Sequence, residues 1–206
     1  TLSEGVTWKA LGEWLKQNGR KSEFNRFYYP NLPRGFAYNM GWVGDEQAFR
    51  EQWIQKIYAM FGNFSPGEFD AVAQWIVDEE LWPKRKQSVV AELVEHLAAG
   101  RRVILISGLV EPILSKFAQK IGAESIGTRM EKFDGKLTGK LILPFTTVNE
   151  KVNQVRHLVP DGMVYAAYGD SGADIHMLEL AEKPAAVTPD KELEEHAQAA
   201  DWRIIL

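Results

Sequence analysis

The sequence predicts an α/β fold in which a helical module precedes a doubly wound parallel sheet. Three observations lead to this fold class. Residues 4 to about 99 carry apolar side chains at helical spacing, and the run Val103 to Ile106 is short and continuously apolar. Short apolar runs then alternate with amphipathic segments as far as Ile205. A continuous apolar run of this length is typical of a strand that is buried on both faces of a parallel sheet.

The helical module is predicted from spacing and from stop signals. Trp8, Leu11 and Trp14 open a first helix, which ends at Asn18-Gly19. Pro30 and Pro33 predict a break after a second segment. The other predicted helices are Asp45 to Phe61, a helix opened by the capping sequence Ser65-Pro66-Gly67-Glu68 and ended by Pro83, and Gln87 to Ala99, which stops at Gly100.

The second half of the chain alternates strands with helices. The predicted elements after Val103 to Ile106 are a helix Pro112 to Ile121, an extended Glu124 to Ile126, a hairpin Met130 to Leu143, a helix Val148 to Leu158, a strand Met163 to Tyr168, a helix Ala173 to Ala181, a strand Ala185 to Val187, a helix Glu192 to Ala199 and a strand Arg203 to Ile205. Because ligands of such sheets bind beyond the carboxyl ends of the strands, polar residues at those positions are the candidate site.

Composition excludes several classes of function. The 206 residues have a formal net charge of −4 and include no cysteine, so thiolate nucleophiles, disulfides and zinc-thiolate sites are excluded. The charge gives no reason to expect nucleic acid as a partner, and no apolar run is long enough to cross a membrane. We therefore expect a cytoplasmic protein that is a monomer or a homodimer.

Two polar features follow the predicted strands. Ser107-Gly108 comes after the first strand, and its hydroxyl and unhindered amide suit a phosphoryl group, although an ordinary turn is the alternative. Asp170 and Asp174 lie four apart after the strand Met163 to Tyr168, and carboxylates are the ligands that Mg²⁺ prefers. The alternative for the two aspartates is helix capping.

A third feature is Lys151, which opens the helix before the second of these strands. A lysine at a helix start is contrary to the preference of the helix dipole for acidic residues there. A role beside bound phosphate is one interpretation, and a solvated surface lysine is the other.

Together, VILISG at 103–108, Lys151 and GDSGAD at 169–174 resemble the second, third and fourth motifs of the haloacid dehalogenase superfamily. The stretch VDEELWPKRKQSVVAELVEHLAAGRRVILISG and the hairpin RMEKFDGKLTGKL at 129–141 resemble its phosphoserine-phosphatase-like branch. The resemblance implies a Rossmann-like core formed by residues 1–3 and 84–206, with a helical cap domain, residues 4–83, inserted.

The resemblance also implies a function, a Mg²⁺-dependent phosphatase that acts on a small phosphorylated metabolite. In the family, the first aspartate of a motif Asp-x-Asp-Gly-Thr-Leu attacks phosphorus, and the second protonates the leaving group and then activates water. Asp170 would bind Mg²⁺, and Asp174 would support the metal directly or through water. Ser107 and the Gly108 amide would hold phosphoryl oxygens, and Lys151 would neutralise charge on the nucleophile and the phosphate.

The first motif of the family is missing. No Asp-x-Asp occurs in the helical half, but Thr1-Leu2 matches the end of the motif, which makes Thr1 a candidate phosphate-binding residue. We therefore expect a central strand of about five to eight residues before Thr1, in a natural protein that is about 8 to 15 residues longer. The chain as printed is expected to lack phosphatase activity.

Four departures from phosphoserine phosphatases concern the substrate. Those enzymes have a glutamate, an arginine, a glycine and an asparagine at four positions of the site. In this chain the matching residues are, in the same order, Val6, Gln52, Leu109 and Ala173. Phosphoserine is therefore disfavoured, because a site that lacks these partners would leave charged groups unpaired.

The leaving group remains open at this stage. Aromatic residues beside the broken helix are candidates to line the pocket and favour an apolar or ring-bearing group, with two arginines for a second anionic group: Phe27, Tyr28, Tyr29, Phe36, Tyr38, Trp42, Arg26 and Arg34. Core packing and solvated arginines are the alternatives. A phosphotransferase or pyrophosphatase on the same scaffold, or a non-catalytic regulatory protein, are the other functions considered.

Overall fold

The fold was analysed in a computed structural model, which describes residues 1–40, 42, 46–142, 148–159 and 162–206. The helices are α1 (Thr7–Gln17), α2 (Lys21–Asn39), α3 (Glu46–Ala59), α4 (Pro66–Ile76), α5 (Gln87–Ala98), α6 (Glu111–Ile121), α7 (Val148–Leu158), α8 (Ile175–Leu178) and α9 (Lys191–Ala199). A π-helical turn, Val77–Leu81, extends α4, and a 3₁₀ turn, Gly172–Asp174, precedes α8. The strands are β1 (Ile104–Val110), β2 (Glu124–Thr128), β3 (Met130–Phe133), β4 (Lys136–Leu141), β5 (Val164–Gly169), β6 (Ala181–Val187) and β7 (Arg203–Ile205).

The fold is α/β, as predicted, with a Rossmann-like parallel arrangement and a helical cap. β1 pairs in parallel with β2, and β5, β6 and β7 form a second parallel sheet in that order. β3 and β4 form the predicted antiparallel hairpin. In the described part of the chain, β1 and β5 each have a neighbour on one side only, so each of these two strands has one unpaired edge. The division into residues 4–83 and the remainder stays a prediction.

Local sequence signals explain where several elements begin and end. Ser65 caps α4 with a reciprocal capping box, since its side chain accepts from the Glu68 amide and the Glu68 carboxylate accepts from the Ser65 amide. Gly100 follows α5 with φ 75°, a conformation that costs glycine little. Asp134 and Gly135 both have positive φ, which the tight turn between β3 and β4 requires. The predicted end of the hairpin at Leu143 lies outside the described residues.

The predicted break at Pro30 and Pro33 is wrong, because α2 runs from Lys21 to Asn39 through both prolines. Packing on both sides of the prolines accounts for the continuity. The Phe27 ring lies 5.0 Å from that of Trp53 on α3, and Gly35, beyond both prolines, faces the same indole. The tertiary contacts therefore outweigh the loss of backbone hydrogen bonds.

Two predicted boundaries also need correction. β1 continues past Ile106 through Ser107-Gly108, because Val110 pairs with Thr128 after an irregularity in the register. The helix predicted over Ala173 to Ala181 ends at Leu178, because Ala181 pairs with Val164 as the first residue of β6. In both places parallel strand pairing overrides the local apolar pattern.

The buried hydrophobic side chains form two clusters, one that includes β1 and one that belongs to the sheet of β5 to β7. The larger joins the helices α1 to α6 to β1 and the hairpin, with Phe61 and Phe69 fully buried. The smaller contains Leu178, Ala186 and Leu193, and belongs to the sheet of β5 to β7. Among the described helices, none combines the length and the hydropathy that crossing a membrane requires.

Candidate active site

A cavity of about 900 Å³ lies between β1 and β5. Residues 103–109 line one side and residues 164–168 the other, so the cavity follows the two unpaired edges along their length. At the amino ends of the strands, Arg101 stacks on the Tyr165 ring at 3.8 Å. At the carboxyl ends, the cavity is lined by Thr1, Ser107, Gly108, Lys151 and Asp170.

Asp174 is buried behind the carboxyl end of the cavity and hydrogen-bonds to two of the residues that line it. The residue is 2% exposed. Its Oδ1 accepts from Lys151 Nζ at 2.5 Å, and its Oδ2 accepts from the Asp170 amide at 3.1 Å and from the Ser171 hydroxyl at 3.4 Å. Asp174 therefore fixes the lysine that lines the cavity and the backbone of the aspartate beside it.

Asp170 is the more open of the two aspartates, with 41% of its side chain exposed. Its carboxylate contacts the amino group of Thr1. Burial alone would raise the pKa of Asp170, but the hydrogen bond and charge of the Thr1 amino group, with Lys151 nearby, outweigh it and lower the pKa. Among the charged side chains, it is Lys151 that favours the carboxylate form of Asp170.

Ser107 and Gly108 are held by the contacts between β1 and β2. The Ser107 hydroxyl oxygen accepts from the Leu109 amide at 3.2 Å, which leaves its hydrogen able to donate to another group. The Gly108 carbonyl accepts from the Thr128 hydroxyl at 2.9 Å. Glu111 connects α6 to β2, since its carboxylate accepts from the Ser125 hydroxyl and the Gly127 amide, both at 2.5 Å.

The structure thus brings every predicted site residue to one end of the cavity, with Asp174 as support behind it. Their chemical roles stay predictions. Ser107 and Asp170 lie at the same end of the cavity because each belongs to, or follows, a parallel strand, and the carboxyl ends of parallel strands lie at the same edge of a sheet.

The cavity continues from Thr1 into the helical module, where sequence analysis did not identify its lining. We call this surface the cap wall, which consists of side chains from α1 and α3: Thr7, Trp8, Leu11, Ile54, Ile57 and Tyr58. These residues have the spacing of core positions, and Leu11, Ile57 and Tyr58 also belong to the larger hydrophobic cluster, so the sequence alone does not show that they border the cavity.

Of the aromatic residues and arginines proposed for the pocket, those whose side chains the structure describes do not line it. Phe27 and Tyr28 pack against the larger hydrophobic cluster, because α2 continues through the prolines and turns them toward α1 and α3. Tyr29, Phe36 and Trp42 are exposed. Arg26 and Arg34 are not among the lining residues of the described chain, and the side chain of Tyr38 lies outside it.

The donor set of the site fits Mg²⁺ in part. Mg²⁺ in phosphoryl-transfer sites is bound by one or two carboxylates, with water and substrate phosphate completing its shell. Asp170 supplies one such carboxylate at the cavity, whereas both oxygens of Asp174 already accept hydrogen bonds. No cluster of three or more acidic or histidine ligands occurs within the described ranges, so a metal here would need ligands in addition to Asp170.

Comparison with known proteins identifies the family. The model of the haloacid dehalogenase-like hydrolases matches residues 5–179, and the chain belongs to that family. It is 31% identical over 153 residues to a probable phosphatase from Mycobacterium tuberculosis, covering 69% of this chain and 53% of the relative. The chain therefore spans about half the length of this curated relative.

Solved structures agree on the fold. A protein of unknown function from Bordetella pertussis Tohama I is 25% identical, with a TM-score of 0.79 over 100% of this chain and 94% of that one. A phosphoserine phosphatase in its apo form is 18% identical, with a TM-score of 0.61 over 100% of this chain and 88% of that one. The predicted resemblance to phosphoserine phosphatases is confirmed at the level of fold.

Proposed function

We propose that this protein is a Mg²⁺-dependent phosphatase that hydrolyses a small phosphomonoester through an aspartyl-phosphate. The observation that carries the proposal is the convergence of Ser107, Lys151 and Asp170 on one end of a cavity, at the carboxyl ends of parallel strands.

The charges of the site suit a phosphoryl group. Lys151 brings a positive charge to the cavity, and its ion pair with the buried Asp174 restricts where that charge can lie. Ser107 has a hydroxyl hydrogen to donate, and the Gly108 amide is unhindered by a side chain. Phosphoryl transfer depends mainly on positioning and on compensating the charge of the oxygens, and preorganised donors supply both.

The proposed nucleophile belongs to a strand that precedes Thr1 and fills the space between β1 and β5. Both edges that face this space lack a neighbour in the described chain, and the lining is largely apolar, as a central strand would require. Thr1 lies at the carboxyl end, in contact with Asp170. A strand that ends at Thr1 would therefore bring its last residues beside Ser107 and Lys151.

The proposed chemistry has two steps. An aspartate oxygen of that strand attacks phosphorus, the bond between phosphorus and the ester oxygen breaks, and the second aspartate gives its proton to the departing alcohol. Water then loses a proton to the same carboxylate and attacks the aspartyl-phosphate, which releases inorganic phosphate. Mg²⁺ held by Asp170 and the upstream carboxylates would offset negative charge on the phosphoryl oxygens.

The test compares Asp170→Asn with the wild-type full-length protein. The variant should lose Mg²⁺-dependent hydrolysis of p-nitrophenyl phosphate by about 100-fold or more, because a neutral amide binds the cation weakly. Asp134→Asn in the turn between β3 and β4 is the matched control, and it should leave turnover unchanged.

Other outcomes separate the alternatives. Equal turnover in Asp170→Asn would contradict the metal role. Transfer of phosphate to an added alcohol in place of water would indicate a phosphotransferase. Preference for inorganic pyrophosphate would indicate a pyrophosphatase. A wild-type protein that turns over no member of a panel of phosphate esters would favour the non-catalytic, regulatory alternative.

A further inference from the structure

Thr128, the last residue of β2, has a buried hydroxyl next to the candidate phosphate-binding residues of β1. It is 2% exposed. Tyrosines aside, Thr128 and Asp174 are the two polar or charged residues that are buried within the described ranges. Valine has nearly the shape of threonine and suits a strand equally well, so burial alone does not require a hydroxyl at this position. The hydrogen bond that the hydroxyl makes is therefore the feature to explain.

The pairing of β1 with β2 is irregular at the candidate site. It resumes with Val110 opposite Thr128 only after three residues of β1, Ser107 to Leu109, which lie opposite Gly127 alone. We call these three residues the bulged segment. A Cβ added at Gly127 would lie 2.7 Å from the carbonyl oxygen of Leu109, so the two strands are in close contact there. Irregularities of this kind change the direction of side chains and are common beside active sites.

One peptide group of the bulged segment is held at both ends. The Thr128 hydroxyl donates to the Gly108 carbonyl at 2.9 Å. The Leu109 amide belongs to the same peptide group and donates to the Ser107 side-chain oxygen at 3.2 Å. Gly108 has no side chain to restrict rotation of this group, so the bond from Thr128 restrains it. A rotation would take the Leu109 amide away from Ser107 and leave the serine side chain free to turn.

We propose that Thr128 is a positioning residue, whose hydroxyl fixes the peptide group between Gly108 and Leu109 and, through it, the direction of the Ser107 hydroxyl. The Leu109 amide occupies one lone pair of the Ser107 oxygen, so the hydroxyl hydrogen stays available to an oxygen of a bound phosphoryl group. Preorganised donors of this kind are the ones that stabilise developing charge. The proposal rests on the proposed function for the role of Ser107 as a donor to phosphate.

The first test compares two substitutions in the full-length protein with Mg²⁺. Thr128→Val removes the hydroxyl, and Thr128→Ser keeps it. Thr128→Val should lower kcat/KM for p-nitrophenyl phosphate about tenfold and weaken binding of inorganic phosphate about tenfold, the effect of losing one hydrogen bond to a charged oxygen. Thr128→Ser should recover most of both. Thr128→Ala takes the place of the valine variant if that variant does not fold.

The matched control is Thr138→Val on β4. The Thr138 hydroxyl also donates within its own sheet, to the Glu131 carboxylate at 2.6 Å, but it lies in the hairpin. Its loss should change neither kcat/KM nor phosphate binding. An equal loss in Thr138→Val and Thr128→Val would contradict the proposal.

A double-mutant cycle separates positioning from a structural role. Thr128→Val should lower the melting temperature by roughly 2–4 °C, as the loss of one buried hydrogen bond does in a protein of this size. In a Ser107→Ala background it should weaken phosphate binding no further, because the hydroxyl that it positions is absent. A lower melting temperature with unchanged phosphate binding, additive losses in the double variant, or a serine variant as impaired as the valine variant would each overturn the proposal.

Failure of the proposed function would give a different result. If the wild-type protein neither hydrolyses the ester nor binds inorganic phosphate, the Hα–Hβ couplings of Ser107, measured by NMR, test the positioning without a ligand. They should report a single rotamer in the wild-type protein and in Thr128→Ser, and averaging between rotamers in Thr128→Val. Averaging in the wild-type protein, or the same couplings in all three proteins, would overturn the proposal.

Discussion

The two ends of the cavity between β1 and β5 contain similar side chains in different surroundings. At the carboxyl end, Lys151 pairs with Asp174, whose side chain is 3% exposed. Outside the cavity lining, Arg203 of β7 pairs with Glu92 of α5 through two hydrogen bonds, at 2.6 and 2.9 Å, but the arginine is 59% exposed. The number of ionic contacts therefore does not distinguish a site from a surface.

Burial and the use of the charges distinguish the two ends. At the amino end, Lys183 donates to the Tyr165 hydroxyl at 2.6 Å and Arg101 covers the same ring, so the groups satisfy one another near solvent. At the carboxyl end, the charge of Lys151 is fixed from behind by Asp174 and its other side faces the cavity. The carboxyl end is therefore prepared for an anion, whereas the amino end is a solvated network.

The largest expected difference is in stability. Asp174→Asn should lower the free energy of unfolding by about 3–5 kcal/mol, because it removes the buried carboxylate that pairs with Lys151 and weakens the contact to the Asp170 amide. Glu92→Gln, on α5, should cost about 1 kcal/mol or less, since its partner is mostly exposed. Urea denaturation at neutral pH measures both, and equal losses would contradict the comparison.

A smaller effect is expected from steric displacement of Asp174. In Gly169→Ala the new Cβ would lie 2.6 Å from the Asp174 Cβ, so the aspartate must move. The cost is expected to be about 1–3 kcal/mol, with a parallel loss of turnover. Gly67→Ala on α4 meets nothing within 4 Å and should stabilise the protein by about 0.5–1 kcal/mol. Thermal unfolding and kcat would be measured together, and unchanged kcat in Gly169→Ala would show that Asp174 is not critically positioned.

The smallest effect concerns alkaline pH and the hydrogen bond between Tyr168 of β5 and Glu92 of α5. Burial, with the hydrogen bond that Tyr168 donates to Glu92, raises the pKa of Tyr168 from 10.0 to about 12. The neutral phenol is favoured in the folded state, so this stabilisation is complete below pH 10 and is lost as the pH rises toward 12. Tyr168→Phe should flatten the fall in unfolding free energy across that range, as measured by urea titrations.

Tyr165 provides the control for this pH dependence. Its hydrogen bond from Lys183 lowers the pKa of Tyr165, so its contribution is present above the ordinary pKa and is lost as the pH falls. Tyr165→Phe should therefore steepen the alkaline fall. A change of the same sign in the two variants would contradict the assignment.

The sequence predicts the phosphate end of the site because that end depends on strand order. Ser107 and Asp170 follow apolar runs, and parallel strands bring their carboxyl ends together whatever packs around them. The unpaired edges of β1 and β5 are consistent with the central strand expected before Thr1, which stays a prediction. The expected cytoplasmic location and the oligomeric state also stay predictions.

The cap wall could not be predicted for a physical reason. Ile54, Ile57 and Tyr58 on α3 have the same spacing whether their neighbour is core or cavity, since periodicity identifies an apolar face but not what lies against it. The continuity of α2 through Pro30 and Pro33 depends on contacts with Trp53, a residue that is distant in sequence. Both features are decided by tertiary packing.

The lone edges of β1 and β5 have a consequence for how the protein is handled. Each presents backbone donors and acceptors in a row, the kind of surface on which a strand from another molecule can add. A form of the protein with this space open would be prone to self-association through intermolecular β-pairing.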